Sequence, residues 1–114
     1  MNPLTKTSSL IAGFLISCSS ALMAQRPAGP PVPASVEAKT DIAYAGTDNP
    51  RQRLDLFLPK QLEAGKALPV LVFIHGGAWQ AGSKEQGRGQ VMNFVRDGRC
   101  AGVSVGYRLS QEAQ

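Results

Sequence analysis

The stretch "LPVLVFIHGGAW", Leu68 to Trp79, decides how the rest of the chain is read. Val70 to Ile74 are apolar without alternation, and the run stops at His75-Gly76-Gly77. A short continuous apolar run ended by glycines is the pattern of a central strand buried on both faces. Beyond Trp79 the period changes to that of a helix. Ser83 and Gln86 are spaced as in a capping box, and Val91, Phe94 and Val95 fall on one helical face. Gly87 and Gly89 weaken its first turns, so it starts late. Gly98 is placed to end it in the left-handed conformation. "CAGVSVGYR", from Cys100, then reads as a further strand. Strand, helix, strand at this spacing forms a right-handed crossover, which sets the two strands parallel.

Upstream, "RLDLFLP" alternates. Leu54, Leu56 and Leu58 share one face, with Asp55 and Phe57 on the other, as in an antiparallel strand with one side partly exposed. "AKTDIAYAG" supplies a first strand and "TDNP" the turn. The expected fold class is therefore α/β: an antiparallel hairpin leading into a parallel sheet with a crossover helix.

The N-terminus has its own signature. Lys6 is the only charge in the first 25 residues, "LIAGFLIS" comes after it, and small residues close the segment in "CSSALMA". That is the layout of a secretory signal peptide, cut after Ala24. A rival lies in Leu15-Ile16-Ser17-Cys18, which resembles a bacterial lipobox and would put lipid on Cys18. The expectation is export, periplasmic or secreted, with an envelope lipoprotein held through Cys18 as the alternative and the only route to a membrane. Pro27, Pro30, Pro31 and Pro33 make residues 25–36 an extended linker, so the domain is expected over 37–114. With Cys18 removed, Cys100 has no partner for an internal disulfide and reads as a buried inert thiol. The twelve basic residues of the chain, net charge +4, are scattered. A nucleic-acid surface needs them clustered, so no nucleic-acid partner is expected.

The chemistry gathers at His75-Gly76-Gly77-Ala78-Trp79. Ligands in open α/β sheets bind at the carboxyl ends of strands, and glycines there let backbone N–H groups face a cleft. Two convergent N–H donors can hold the oxyanion formed when a nucleophile adds to a carbonyl. A metal role for His75 would need companion ligands at suitable spacing, and none is seen.

Here the chain resembles a family. "LPVLVFIHGGAWQAGSK" and "VSVGYRLSQEAQ" look like the N-terminal part of an α/β-hydrolase esterase, on the carboxylesterase, hormone-sensitive-lipase-like and feruloyl-esterase-like side. The match runs from about Thr40 to Gln114. It implies hydrolysis of a small carboxylic ester through an acyl-serine, with no metal or organic cofactor. It assigns oxyanion duty to the Gly77 and Ala78 N–H groups, with Gly76 shaping the turn. By the same resemblance His75 braces the loop and is not the general base. Trp79 either lines an acyl pocket or packs the loop, and a large ring is expected to find burial.

Gly102-Val103-Ser104-Val105-Gly106 also satisfies G-x-S-x-G, the nucleophile elbow. An elbow needs strand, motif, helix, and here the motif lies inside a strand. Val103, Val105 and Tyr107 share one face, and Gly102, Ser104 and Gly106 the other, where small residues let a helix pack close. Ser104 is therefore read as structural. The resemblance puts the nucleophile on a later strand, beyond Gln114, with the acid and histidine later still. The chain is thus expected to be a fragment with an oxyanion loop but no nucleophile, acid or base. The competing expectation is a non-catalytic exported or lipid-tethered binding module built on the same fold.

Overall fold

A computed structural model describes residues 29–113. The signal segment 1–24, the alternative lipid site at Cys18 and the start of the Pro-rich linker lie outside the described residues. The chain forms strands β1 (Val36–Ala43), β2 (Arg53–Pro59) and β3 (Val70–Ile74), a 3-10 turn (Lys84–Gly87), helix α1 (Arg88–Arg96) and strand β4 (Ala101–Val105). The sheet order is β1-β2-β4-β3. β1 and β2 are antiparallel, β3 and β4 are parallel across α1, and β4 lies between β2 and β3, antiparallel to β2.

The seat of α1 is set by β4. Gly102 offers no Cβ, and one placed there would overlap Val91 Cγ1 and Val95 Cγ2 of the helix. The bare face of β4 is the groove that admits α1, as the alternation of small and β-branched residues predicts. Around it Val36, Phe57, Val91, Met92, Val95 and Cys100 form the core, with Ala38, Leu71 and Phe73 packed against it. Each large apolar side chain fully buried here contributes roughly 1.5–3 kcal/mol of hydrophobic stabilisation. The helix begins only at Arg88, after the 3-10 turn, in keeping with the glycines at 87 and 89. It ends with Gly98 at φ 72, whose N–H donates to the Val95 carbonyl at 2.9 Å.

Three expectations need correction. β3 is not central: it is the edge of the described sheet, and Val70, Val72 and Ile74 stand 59%, 53% and 65% exposed. Only its other face, Leu71 and Phe73, meets the core. A run without alternation signals two apolar faces, and among the described residues just one of them is covered. The uncovered face continues across the sheet through Val103 and Val105 to Leu56 and Leu54. Second, the helix buries Met92 with Val91 and Val95 and leaves Phe94 55% exposed: with Val91 and Val95 seated on Gly102, the Met92 side of that stripe faces the core and the Phe94 side faces out. Third, Ser83 makes no side-chain cap. Its carbonyl accepts the Gln86 N–H instead, at 3.2 Å, which closes a 3-10 turn rather than an α-helical one.

Candidate functional site

The loop after β3 is built on unusual backbone. Gly77, Ala78 and Trp79 have φ of 122, 52 and 60. For alanine and tryptophan this region is strained, each such residue costing roughly 1–3 kcal/mol, and it persists only where surrounding contacts impose it. Those contacts are on the carbonyl side. The Gly77 carbonyl accepts the N–H groups of Gln80 (2.9 Å) and Ala81 (3.1 Å), and the Trp79 carbonyl accepts that of Ser110 (2.7 Å). Gln111 Nε2 donates to the Gln80 carbonyl at 3.1 Å. Arg51, held by Glu112 at 2.8 Å, reaches the Gly82 carbonyl at 3.4 Å. Among the described residues the N–H groups of Gly77 and Ala78 donate no hydrogen bond. They sit on exposed residues beside a cleft of about 330 Å³, which Ile74, His75, Gly76, Ala78, Trp79 and Tyr107 line.

His75 is 3% exposed. Its ring stacks on Tyr107, centroids 4.1 Å apart and planes 10° from parallel. Nδ1 lies 2.9 Å from the Gly76 carbonyl oxygen, and the Tyr107 hydroxyl donates to the His75 carbonyl at 2.9 Å. Trp79 departs from the expectation of burial: it is 71% exposed. The loop is held through the Trp79 carbonyl, so its packing does not draw on the indole.

Ser104 lies on the opposite face of the sheet from this cleft. It is fully buried, and its hydroxyl donates to the Lys84 carbonyl. The cleft residues and Ser104 are therefore not brought together.

A charged cluster beside Ser104 escaped the reading of the sequence. Asp55 is fully buried on β2. Its carboxylate accepts Lys84 Nζ (2.7 Å), Arg88 (2.9 Å) and the Asp41 backbone N–H (3.0 Å). Asp41 sits at φ 58 where the β1–β2 register shifts. Lys84, 4% exposed, also reaches Asp41 Oδ1 (3.0 Å) and Glu85 Oε1 (3.2 Å). Burial alone would raise the Asp55 carboxyl, but the hydrogen bonds from Lys84, Asp41 and Arg88 hold it below the ordinary carboxylate range. Burial would lower Lys84, and the bonds to Asp55 and Asp41 raise it instead. Burial would likewise raise Glu85, yet Ser83, its own backbone N–H and Lys84 bring it from 4.5 down to about 2. The cluster fixes the 3-10 turn that carries the far end of the 76–82 loop. An Asp sharing a strand face with Phe57 was the available signal, since a lone acid on a buried face needs a cation.

These shifts set a pH window. Glu85 and Asp55 have lowered folded-state values, so their contribution is complete above the unfolded values of 4.5 and 3.8 and is lost as pH falls through the folded ones. For Glu85 that contribution is at most on the order of 3 kcal/mol. Lys84, raised above 10.5, contributes below that pH and loses the contribution as pH rises past it. The thermal midpoint is expected to hold from pH 7 to about 5 and then fall steadily toward pH 2. Glu85→Gln should flatten part of that fall; a wild-type midpoint constant down to pH 3 would contradict the cluster's role.

Comparison with known proteins gives a consistent set. The BD-FAE family model matches residues 54–114, more than half of the chain. Probable carboxylesterase 5 of Arabidopsis thaliana is 34% identical over 91 residues, covering 71% of this chain and 28% of that protein. Isoprenylcysteine alpha-carbonyl methylesterase ICME of the same plant is 45% identical over 53 residues, covering 46% and 12%. Among solved structures, esterase B from Lactobacillus rhamnosis superposes with a TM-score of 0.60 at 29% identity, over 70% of this chain and 25% of that one. A truncated carbohydrate esterase from gut microbiota gives 0.61 at 25% identity, over 75% and 30%. The chain thus spans less than a third of the length of each of these proteins.

Proposed function

Because the chain belongs to the BD-FAE family and carries the N-terminal portion of an α/β-hydrolase esterase, we propose that it supplies the oxyanion loop of a serine ester hydrolase. The reaction adds a serine oxygen to the carbonyl carbon of a small carboxylic ester. The carbonyl oxygen takes up negative charge, the alcohol leaves, and water then releases the acyl group. The Gly77 and Ala78 N–H groups receive the charge as it develops. Such donors lower the barrier without reorganising when the reaction occurs.

The observation that carries this reading is the pair of N–H groups at the carboxyl end of β3, beside the cleft, that donate no hydrogen bond among the described residues. Ser104 does not serve as nucleophile: it is fully buried, and its hydroxyl donates to the backbone carbonyl of Lys84 in the 3-10 turn. The nucleophile, acid and base are supplied by parts of the protein outside residues 1–114, so these residues hold one half of the site. The N-terminal charge, apolar core and small-residue end support export of the protein, with Cys18 as the alternative lipid attachment point.

The test is an assay of the full-length gene product on p-nitrophenyl acetate and butyrate, together with labelling by a fluorophosphonate and mass mapping of the adduct. Hydrolysis is expected, with the phosphonyl group on a serine outside residues 1–114 and Ser104 unmodified. An adduct on Ser104 would overturn the assignment. A folded protein that cleaves no ester would instead favour a non-catalytic binding module.

A further inference from the structure

Building on the oxyanion reading, the geometry points to Tyr107 as a positioning residue that sets the Gly77 N–H through His75. The peptide between Gly76 and Gly77 is planar and trans, so its C=O and N–H point in opposite directions. Anchoring the carbonyl therefore aims the N–H. The anchor is His75 Nδ1, 2.9 Å from the Gly76 oxygen. A carbonyl oxygen only accepts, so Nδ1 carries the proton, and the imidazole is fixed in that tautomer. The same bond polarises the peptide and makes its N–H a stronger donor.

What holds the imidazole is Tyr107. The phenol ring lies flat against it at 4.1 Å, and the hydroxyl donates to the backbone carbonyl of the same histidine at 2.9 Å. Ring and backbone of His75 are thus fixed by one side chain. Tyr107 is held in turn by its neighbour. The Gly106 N–H donates to the Arg53 carbonyl at 2.9 Å, and the Gly106 carbonyl accepts the Tyr44 hydroxyl at 2.7 Å. A continuous path runs from the hairpin through Gly106, Tyr107 and His75 to the peptide of the oxyanion donor. The Tyr107 hydroxyl is spent on His75, so its removal alters no group offered to the substrate, while the ring still lines the cleft.

Tyr107→Phe in the full-length protein tests this, with active sites counted by phosphonate titration. We expect kcat per titrated site to fall about tenfold, as for loss of one aligned hydrogen bond, with KM within about twofold of wild type. Tyr107→Leu, which also removes the stack, should lower kcat further; because it also takes the ring out of the cleft, KM is read only on Tyr107→Phe. An unchanged kcat per site with fewer titratable sites would make Tyr107 merely structural and overturn the inference. A rise in KM at constant kcat would make it a substrate contact and overturn it equally. Gly77→Pro separates the two levels. If that variant is inactive while Tyr107→Phe is unimpaired, only the positioning role fails; if it stays active, the oxyanion reading itself fails.

Discussion

Asp55→Ala is expected to be the most damaging single substitution in the described fold. It removes the acceptor shared by Lys84, Arg88 and the Asp41 N–H. Lys84 keeps Asp41 and Glu85 as partners, but Arg88 loses the only carboxylate it pairs with among the described residues. Breaking a buried pair from one side typically costs about 3–5 kcal/mol, because the remaining charge stays desolvated. Against a total stability of roughly 5–15 kcal/mol for a domain, that is a large fraction. The urea midpoint should drop sharply, and soluble yield with it. Asp55→Asn, which retains an acceptor for the Asp41 N–H, should fall between. Replacing all three of Asp55, Lys84 and Arg88 by apolar residues of similar volume should recover much of the loss, since the carboxylates then left without Lys84, those of Asp41 and Glu85, both reach solvent. A midpoint for Asp55→Ala equal to wild type would refute the cluster's structural role.

Gly77→Pro is expected to have the largest effect on catalysis. Proline removes the N–H and fixes φ near −65°, whereas Gly77 stands at 122. Any Cβ at this position would also overlap the Ala81 carbonyl. Losing one oxyanion donor alone costs about a hundredfold to a thousandfold in kcat. The control is Ala78→Gly. It keeps the second N–H and relieves an alanine at φ 52, so activity should persist without loss of stability. If Gly77→Pro retained activity within about tenfold of wild type, the loop would not be the oxyanion site.

The fold was largely legible because its signals are local. The alternation in "RLDLFLP", the small face of "AGVSV" and the glycines around the helix each specify an element and one of its faces. Two features were not legible for a shared physical reason. In "VLVFI" every residue is apolar, so the sequence does not say which face meets α1 or whether the other is covered. In α1, Met92 and Phe94 are both apolar, and only the way the helix seats on Gly102 decides which turns inward. The candidate site divides the same way. HGGAW marks the loop, but the pins on it come from Tyr107, Ser110, Gln111 and Arg51, brought near by topology and not by sequence. Asp55 read as one polar residue in an alternating strand; its burial depends on Lys84 and Arg88, far along the chain.

The placement of β4 governs the order in which this structure can assemble. β3 precedes β4 in the chain, yet β4 is the strand that joins β3 to the hairpin. When His75 to Trp79 have been synthesised, the hairpin can close on itself, but β3 has no neighbour to zip against. Insertion of β4 forms both of its ladders together, a non-local closure of the kind that slows folding. The bonds that hold the His75, Trp79 and Gln80 carbonyls arrive from Tyr107, Ser110 and Gln111, later still. The loop after β3 is therefore pinned in full only once the residues that follow β4 are in place.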